Sequence, residues 1–207
     1  GVRGLASLDR LMSRLDEPRA CAIAAAVAAD LQSTAEEVSS ALPTFAERVR
    51  NPGPDNPLYR TPAEAAGKIV GSIATTIAAI RDLTLIPTLG ESAARSRWKT
   101  APMRRSALTL VMIDAQIGAI ENLLATLDIK GSLDAETARS AATFEAANVR
   151  RQLQSIDVTL EILATSSEHR GKLVALRFGL NGLEQAASRG LMQALGLQSG
   201  FNALDGD

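Results

Sequence analysis

The connection between the third and fourth predicted helices holds the residues best suited to bind a ligand. Five cations and the single tryptophan of the chain fall between residues 95 and 105: Arg95, Arg97, Trp98, Lys99, Arg104 and Arg105. Cations beside an aromatic ring can hold an anionic polymer, a carboxylated sugar or nucleic acid. A solvated loop, or one that anchors Trp98 on the protein, is the alternative. We predict an anion site that uses Trp98, Arg104 and Arg105.

Two acids interrupt apolar helical faces: Asp114 follows Ile113, and Asp157 stands between Ile156 and Val158. If they are buried they need cationic partners, because an unpaired buried charge is costly. Arg150, Arg151 or the pair Arg104-Arg105 could supply those partners. The acids could equally flank the apolar seam and reach solvent, and the pattern leaves both alternatives open.

Composition excludes several classes of site. One cysteine and one histidine rule out an internal disulfide framework and a zinc site built on several histidines, so a metal would have to rest on carboxylates. The sequence contains no glycine-rich phosphate loop, serine elbow or CxxC pair. The net charge of the chain is −1, whereas proteins that bind nucleic acids carry an excess of positive charge. We therefore predict no nucleic-acid partner.

Helical periodicity runs through almost the whole chain. Alanine and leucine dominate and aromatics make up only 3%, a composition that favours helices. We predict an all-α antiparallel bundle of about six helices, with leading helices over residues 1–50 and the main bundle over 58–207. The predicted seam includes Ile73, Ile77, Ile113, Ile117, Ile156, Leu160, Leu176 and Leu183.

Prolines and polar residues set the predicted helix boundaries. Pro18 opens the second helix, and Pro43 is expected to kink or end it. Thr61, followed by Pro62 and by Glu64 three positions on, predicts a capping box at the start of the third helix. Pro87 is expected to close that helix. The fifth helix is predicted from Ser132 through Leu163, and no segment is expected to span a membrane.

Small residues recur along the sixth predicted helix at spacings of three and four. They are Gly179, Gly182, Ala186 and Gly190. Such a strip lets another helix approach closely, although drift at exposed positions would give the same pattern. Cys21 lies within an alanine-rich helix and is predicted to be a buried, inert thiol.

Several stretches share their residue types and their order with one protein family. They are residues 59–65, 80–83, 87–90 and 98–106, together with the ending 200–207. In that order they resemble the second half of imelysin-like proteins, and the ending is similar to the closing segment of one branch. Tyr59 and Arg81 lie in these stretches and join Trp98, Arg104 and Arg105 as candidate ligand-binding residues.

The resemblance implies a bacterial, all-helical protein exported to the periplasm or the outer membrane. It also implies a link to iron uptake, and the family was named for a proposed insulin-cleaving metallopeptidase. A membrane contact is expected only through a lipid anchor on the precursor, and the family's N-terminal half is expected to be absent from this chain.

The family's Gly-x-His-x-x-Glu metal signature is degenerate here. The aligned residues run from Gly4 to Asp9, with Ala6 in place of the histidine and Asp9 in place of the glutamate. A methyl group cannot ligate a metal, so we predict no metal site, no catalytic residue and no cofactor in this chain. Iron or another divalent metal could bind in the full-length protein.

Two functions follow from these patterns and the resemblance. The favoured one is a non-catalytic periplasmic binding protein for an anionic small molecule, a polysaccharide or an iron-uptake component. The alternative is a metallopeptidase or metal carrier whose ligands come partly from the missing half, since carboxylates suit hard cations.

Overall fold

The computed structural model describes residues 4–127, 129 and 132–197, and these form helices with no strand among them. The all-α prediction is confirmed. Contacts divide the chain into two compact units. The first unit contains the described residues up to Ala65 together with Pro102–Thr109. The second contains Ala66–Ala101 and the described residues from Leu110 onward.

The first unit is built on a helical hairpin. Helix α1 (Leu5–Met12) packs on α2 (Pro18–Arg50), which has 33 residues. Helix α2 continues through Pro43, so of the two predicted outcomes the end of the helix is wrong, and the kink stays a prediction. Only Ala20, Ala24 and Val27 of α2 are buried. Cys21 is exposed, contrary to the prediction, because α1 covers only one side of this stretch.

The capping box at α3 (Pro62–Ala78) is present. The Thr61 hydroxyl accepts a hydrogen bond from the Glu64 amide at 3.2 Å. The Glu64 carboxylate reaches back to the Arg60 amide at 2.7 Å. The Glu64 amide, which the first helical turn leaves without a partner, is therefore satisfied, and the Glu64 carboxylate fixes the amide of the residue that precedes the cap.

Loss of this cap has a defined expected cost. Thr61→Ala should lower the free energy of unfolding by about 0.5–2 kcal/mol, and Thr61→Gly by only a few tenths of a kcal/mol, since glycine suits the cap backbone. Urea unfolding followed by circular dichroism measures both variants. Equal losses for the two would argue against a capping role.

Among the described residues, five helical stretches build the second unit. Helix α3 continues through a π-helical segment (Ala79–Leu85) and a last α turn (Ile86–Leu89). Helices α4 (Thr109–Thr126), α5 (Leu133–Gln154) and α6 (Leu160–Thr165) follow. Helix α7 (Arg170–Glu184) continues through a second π segment (Gln185–Gly190) to Leu191–Ala194.

The core of the second unit contains most of the predicted seam. Six of the eight predicted seam residues are 1% exposed or less: Ile73, Ile77, Ile113, Ile117, Leu176 and Leu183. Ile156 is half-buried against this core, and Leu160 is half-buried outside it. The seam shifts at these two positions because the fifth predicted helix does not continue to Leu163. It ends at Gln154, and the Thr159 hydroxyl caps the separate helix α6.

The small-residue strip of α7 lies against α5, so close approach of another helix is the alternative that holds. A Cβ at Gly179 would lie 3.1 Å from Val149, and one at Gly182 would lie 3.1 Å from a carboxylate oxygen of Glu145. Both distances are tighter than ordinary van der Waals contact. The absence of a side chain at these positions therefore permits the observed approach of the two helices.

Pro87 does not close the third helix, contrary to the prediction. In α geometry its ring would collide with the carbonyl of Leu83. The turn just before Pro87 is π-helical, because the Ile86 amide donates to the Arg81 carbonyl five residues back. Helical winding therefore continues to Leu89 and ends at Gly90.

The helical stretch Pro62–Leu89 is long and apolar enough to cross a membrane, judged by length and composition alone. The expectation that no segment spans a membrane stays a prediction, since this criterion uses length and composition only. The apolar face of this stretch supplies core residues of the second unit, including Val70, Ile73 and Ile77. Core helices commonly meet the same criterion, so the finding is weak support for a membrane span.

Candidate functional site

The buried carboxylate of Asp9 holds the turn that carries Arg104 and Arg105. Asp9 is 6% exposed and lies on α1. It accepts hydrogen bonds from the backbone amides of Ser106 at 2.9 Å and Arg105 at 3.4 Å, and from the Ser106 hydroxyl. One carboxylate thereby satisfies three donors of a segment almost 100 residues away in sequence.

The turn itself has an unusual backbone. Met103 and Ala107 both have a φ of 57°, a left-handed conformation that costs energy for residues with a side chain. Hydrogen bonds from Leu108 to Met103 and from Ala107 to Arg104 close the turn. Surrounding contacts must maintain such geometry, and the Asp9 carboxylate is well placed to do so. Arg104 is half-buried, and the Arg105 side chain is exposed.

Desolvation raises the pKa of Asp9, but the hydrogen bonds from Ser106 and the Arg105 amide outweigh it. The net effect lowers the pKa below its ordinary value. The charged carboxylate is therefore the form that the folded protein favours.

Asp9→Ala should lower the free energy of unfolding by about 1–3 kcal/mol at neutral pH, because it leaves two backbone amides without their acceptor. A carboxyl whose pKa is lower in the folded state stabilises the protein above its unfolded pKa. That contribution disappears as pH falls through the folded pKa. The difference between wild type and variant should thus be constant near pH 6 and shrink below about pH 4. Denaturant titrations between pH 7 and pH 3 measure it, and a pH-independent difference would contradict the assignment.

The segment from Gly90 to Ala101, in the second unit, is anchored at its start. The Arg170 guanidinium donates to the Gly90 carbonyl at 2.7 Å and to the Ala164 carbonyl at 3.1 Å. The Arg97 amide donates to the Pro87 carbonyl at 2.9 Å, and the Ser96 hydroxyl donates to the Thr88 carbonyl. These bonds satisfy carbonyls that a helix end leaves without partners.

Trp98 begins a short 3₁₀ turn (Trp98–Thr100) and packs, half-buried, against the core of the second unit. The Lys99 ammonium lies 5.8 Å from the centroid of its ring. Anchoring on the protein was the alternative to a ligand role, and the packing favours it for the ring. A ligand role of Trp98 stays a prediction.

Arg81 lies in the first π segment and is held by acids. Its guanidinium donates to Asp82 at 2.7 and 2.9 Å and to Glu184, and it has 21% of its side chain exposed. The bond to Asp82 is the largest cause that raises the pKa of Arg81 above its ordinary value. A guanidinium with two carboxylate partners has little capacity left for a further anion.

Tyr59 is 9% exposed in the first unit, where its ring meets Phe45 of α2 edge-on with centroids 6.5 Å apart. Its backbone is fixed by Asn56 and Gly53. The five candidate ligand residues are thus divided between the two units. The structure brings only Arg104 and Arg105 together in one turn.

The two acids on apolar faces have separate outcomes. Asp114 is half-buried and pairs with Arg150, which also bonds to Glu121 at 2.7 Å. Asp157 is 79% exposed and pairs with Lys172 at 3.0 Å. The first alternative, a cationic partner from a neighbouring helix, holds for Asp114, and solvent access holds for Asp157.

The sequence patterns did not predict that Asp9 anchors the turn that carries Arg104 and Arg105. Its signal is an acid within an apolar helical face, since Leu5, Leu8 and Met12 lie four, one and three residues away. The same signal identified Asp114. Nothing in the pattern of α1, however, names Ser106 as the partner.

The described structure defines an all-α bundle protein with a basic connection that is anchored in each unit. A sequence profile of the imelysin (peptidase M75) family matches residues 6–203. The chain therefore belongs to the imelysin family. No curated protein and no solved structure matches it.

The metal site that the family signature implies does not fit these residues. The Ala6 side chain has no donor atom, and the Asp9 carboxylate already accepts three hydrogen bonds. Among the described residues, no group of three or more histidines, cysteines and acids is placed to hold a metal ion.

Proposed function

We propose that this imelysin-family protein is a non-catalytic binding protein of the bacterial cell envelope. Its ligand is an anion held by the turn that carries Arg104 and Arg105. The observation that carries the proposal is the anchoring of this turn by Asp9. A backbone held in place by a buried carboxylate presents the exposed guanidinium of Arg105 from a fixed position, and preorganisation lowers the entropy cost of binding.

Arginine suits this role because its planar guanidinium forms paired hydrogen bonds with carboxylates and phosphates. Carboxylated ligands, such as citrate or an acidic polysaccharide, are the chemical class we favour. Family membership supports location in the periplasm or at the outer membrane and a link to iron uptake. A carboxylate ligand fits that link, since hard oxygen donors also hold ferric iron.

Calorimetric titration with three probes tests the proposal: citrate, ferric citrate and an oligogalacturonate. Arg104→Ala and Arg105→Ala should each weaken binding about tenfold, by analogy with the loss of a charge-assisted hydrogen bond, and should reduce its dependence on salt. Arg60→Ala, an exposed arginine in the same unit, is the matched control and should bind like wild type. Unchanged binding in both test variants would overturn the proposal.

The metallopeptidase alternative gives different results. It requires tightly held metal after dialysis and chelator-sensitive cleavage of casein. Either result with the wild-type protein, retained in Arg105→Ala, would replace the binding-protein proposal.

A further inference from the structure

Helix α2 carries an apolar stripe that is buried at one end and exposed at the other. Next to α1, the stripe residues Ala20, Ala24 and Val27 are 5–7% exposed. Past α1 the stripe continues at helical spacing, but Val38, Leu42 and Phe45 are 55%, 54% and 46% exposed. Contiguous exposed apolar surface of this kind marks interaction sites.

We propose that the exposed half of this stripe pairs with the same stripe of a second copy of the chain, antiparallel, about a two-fold axis near residue 40. We call residues 31–49 of α2 the pairing face. It has 19 residues and spans about 28 Å of helix.

The apolar residues of the pairing face are placed symmetrically about residue 40. Leu31 and Val49 lie nine residues on either side, and Val38 and Leu42 lie two. Ala35 and Phe45 lie five on either side, so the largest side chain of each copy meets the smallest of the other. A two-fold contact must be self-complementary, and this arrangement satisfies that condition.

Two of the three charges on one flank of the stripe have the same symmetry, and the third, Glu37, lies about 9 Å along the axis from its copy. Asp30 lies ten residues before residue 40, and Arg48 lies eight after it, both on the same side of the helix. In an antiparallel pair about a two-fold axis, equal flanks meet. Asp30 of each copy would then lie within about 3 Å, along the helix axis, of the level of Arg48 in the other. The opposite flank carries Ala28, Ser39 and Ala46 together with Glu36 and Arg50. Glu36 would lie about 12 Å and Arg50 about 30 Å along the axis from its own copy, so like charges do not meet there.

Within one copy, the buried end of the stripe already has a helical partner. Helix α1 packs on α2 after a short connection, Ser13–Glu17, which makes the two helices antiparallel. Its eight residues reach only the first half of α2. A second α2 helix would continue the same packing where α1 stops. Tyr59 covers one edge of Phe45 and leaves the rest of its ring exposed.

Analytical ultracentrifugation of the chain from about 1 to 300 µM tests the pairing over the range of weak affinities. We expect a concentration-dependent dimer, and Leu42→Arg should raise its Kd at least tenfold. Ser33→Arg, exposed on the opposite face of α2, should leave the Kd unchanged. A chain that stays monomeric at every concentration would overturn the proposal, whether or not it binds another protein. A dimer whose Kd is unchanged by Leu42→Arg would overturn it too.

Crosslinking tests the antiparallel register. With the exposed Cys21 replaced by serine, Ala41→Cys places the two thiols about 3 Å apart along the axis, whereas Thr34→Cys places them about 18 Å apart. A short bifunctional maleimide should therefore link Ala41→Cys dimers and leave Thr34→Cys unlinked. Efficient linkage of both would indicate parallel pairing and overturn the proposed register.

Discussion

Gly90→Ala is expected to destabilise the second unit by about 3 kcal/mol or more. Gly90 ends the helical stretch at Leu89 with φ 56° and ψ −179°, a combination that belongs almost only to glycine. An added Cβ would lie 2.4 Å from the Arg95 carbonyl oxygen and 2.8 Å from its carbon. Backbone strain and steric overlap each cost about 1–3 kcal/mol, and here both apply.

Denaturant unfolding with Gly71→Ala as the control measures this effect. Gly71 lies within α3, where an added Cβ would meet nothing within 4 Å. Alanine should therefore stabilise that position by about 0.5–1 kcal/mol through its helix propensity. Opposite signs for the two variants confirm that the backbone of Gly90 requires glycine. A loss below about 1 kcal/mol for Gly90→Ala would contradict it.

Ile117→Ala should lower the free energy of unfolding by about 2–5 kcal/mol. The Ile117 side chain is fully buried in the seam of the second unit, on α4. Truncation removes its apolar contacts and leaves a cavity, because a packed core relaxes only in part.

Val111→Ala on the same helix is the matched control for Ile117→Ala. Val111 is 60% exposed, so its truncation should change stability by about 0.5 kcal/mol or less. Thermal and urea unfolding of both variants compare the two faces of α4. Similar losses at the two positions would mean that this helix packs through a different face.

Residues that act within a few positions of each other were predictable from the sequence. The Thr61–Glu64 cap needs only a hydroxyl and a carboxylate three residues apart, and both hydrogen bonds are present. The burial of Ile73, Ile77, Ile113 and Ile117 follows from helical periodicity in the same way. The family assignment, which rests on the order of several motifs along the chain, also needed no structure.

Local patterns misplaced helix ends where two local preferences compete. Pro87 predicted a helix end, but the π-helical turn before it allows the helix to continue to Leu89. The spacing of apolar residues predicted a continuous fifth helix, but that helix ends at Gln154 and Thr159 caps a new one. In each case periodicity does not report which of the two local preferences prevails.

The sequence by itself determined that this protein is helical, which faces of its helices are apolar and to which family it belongs. Helix formation, capping and periodicity depend on groups within about four residues. Only the tertiary structure decided that Asp9 anchors Ser106, 97 positions away, and that Arg81 is held by Glu184. It also decided that half of the α2 stripe stays exposed. Such pairings depend on contacts that close long loops of chain, and the apolar pattern of α2 is the same on both sides of the point where α1 ends.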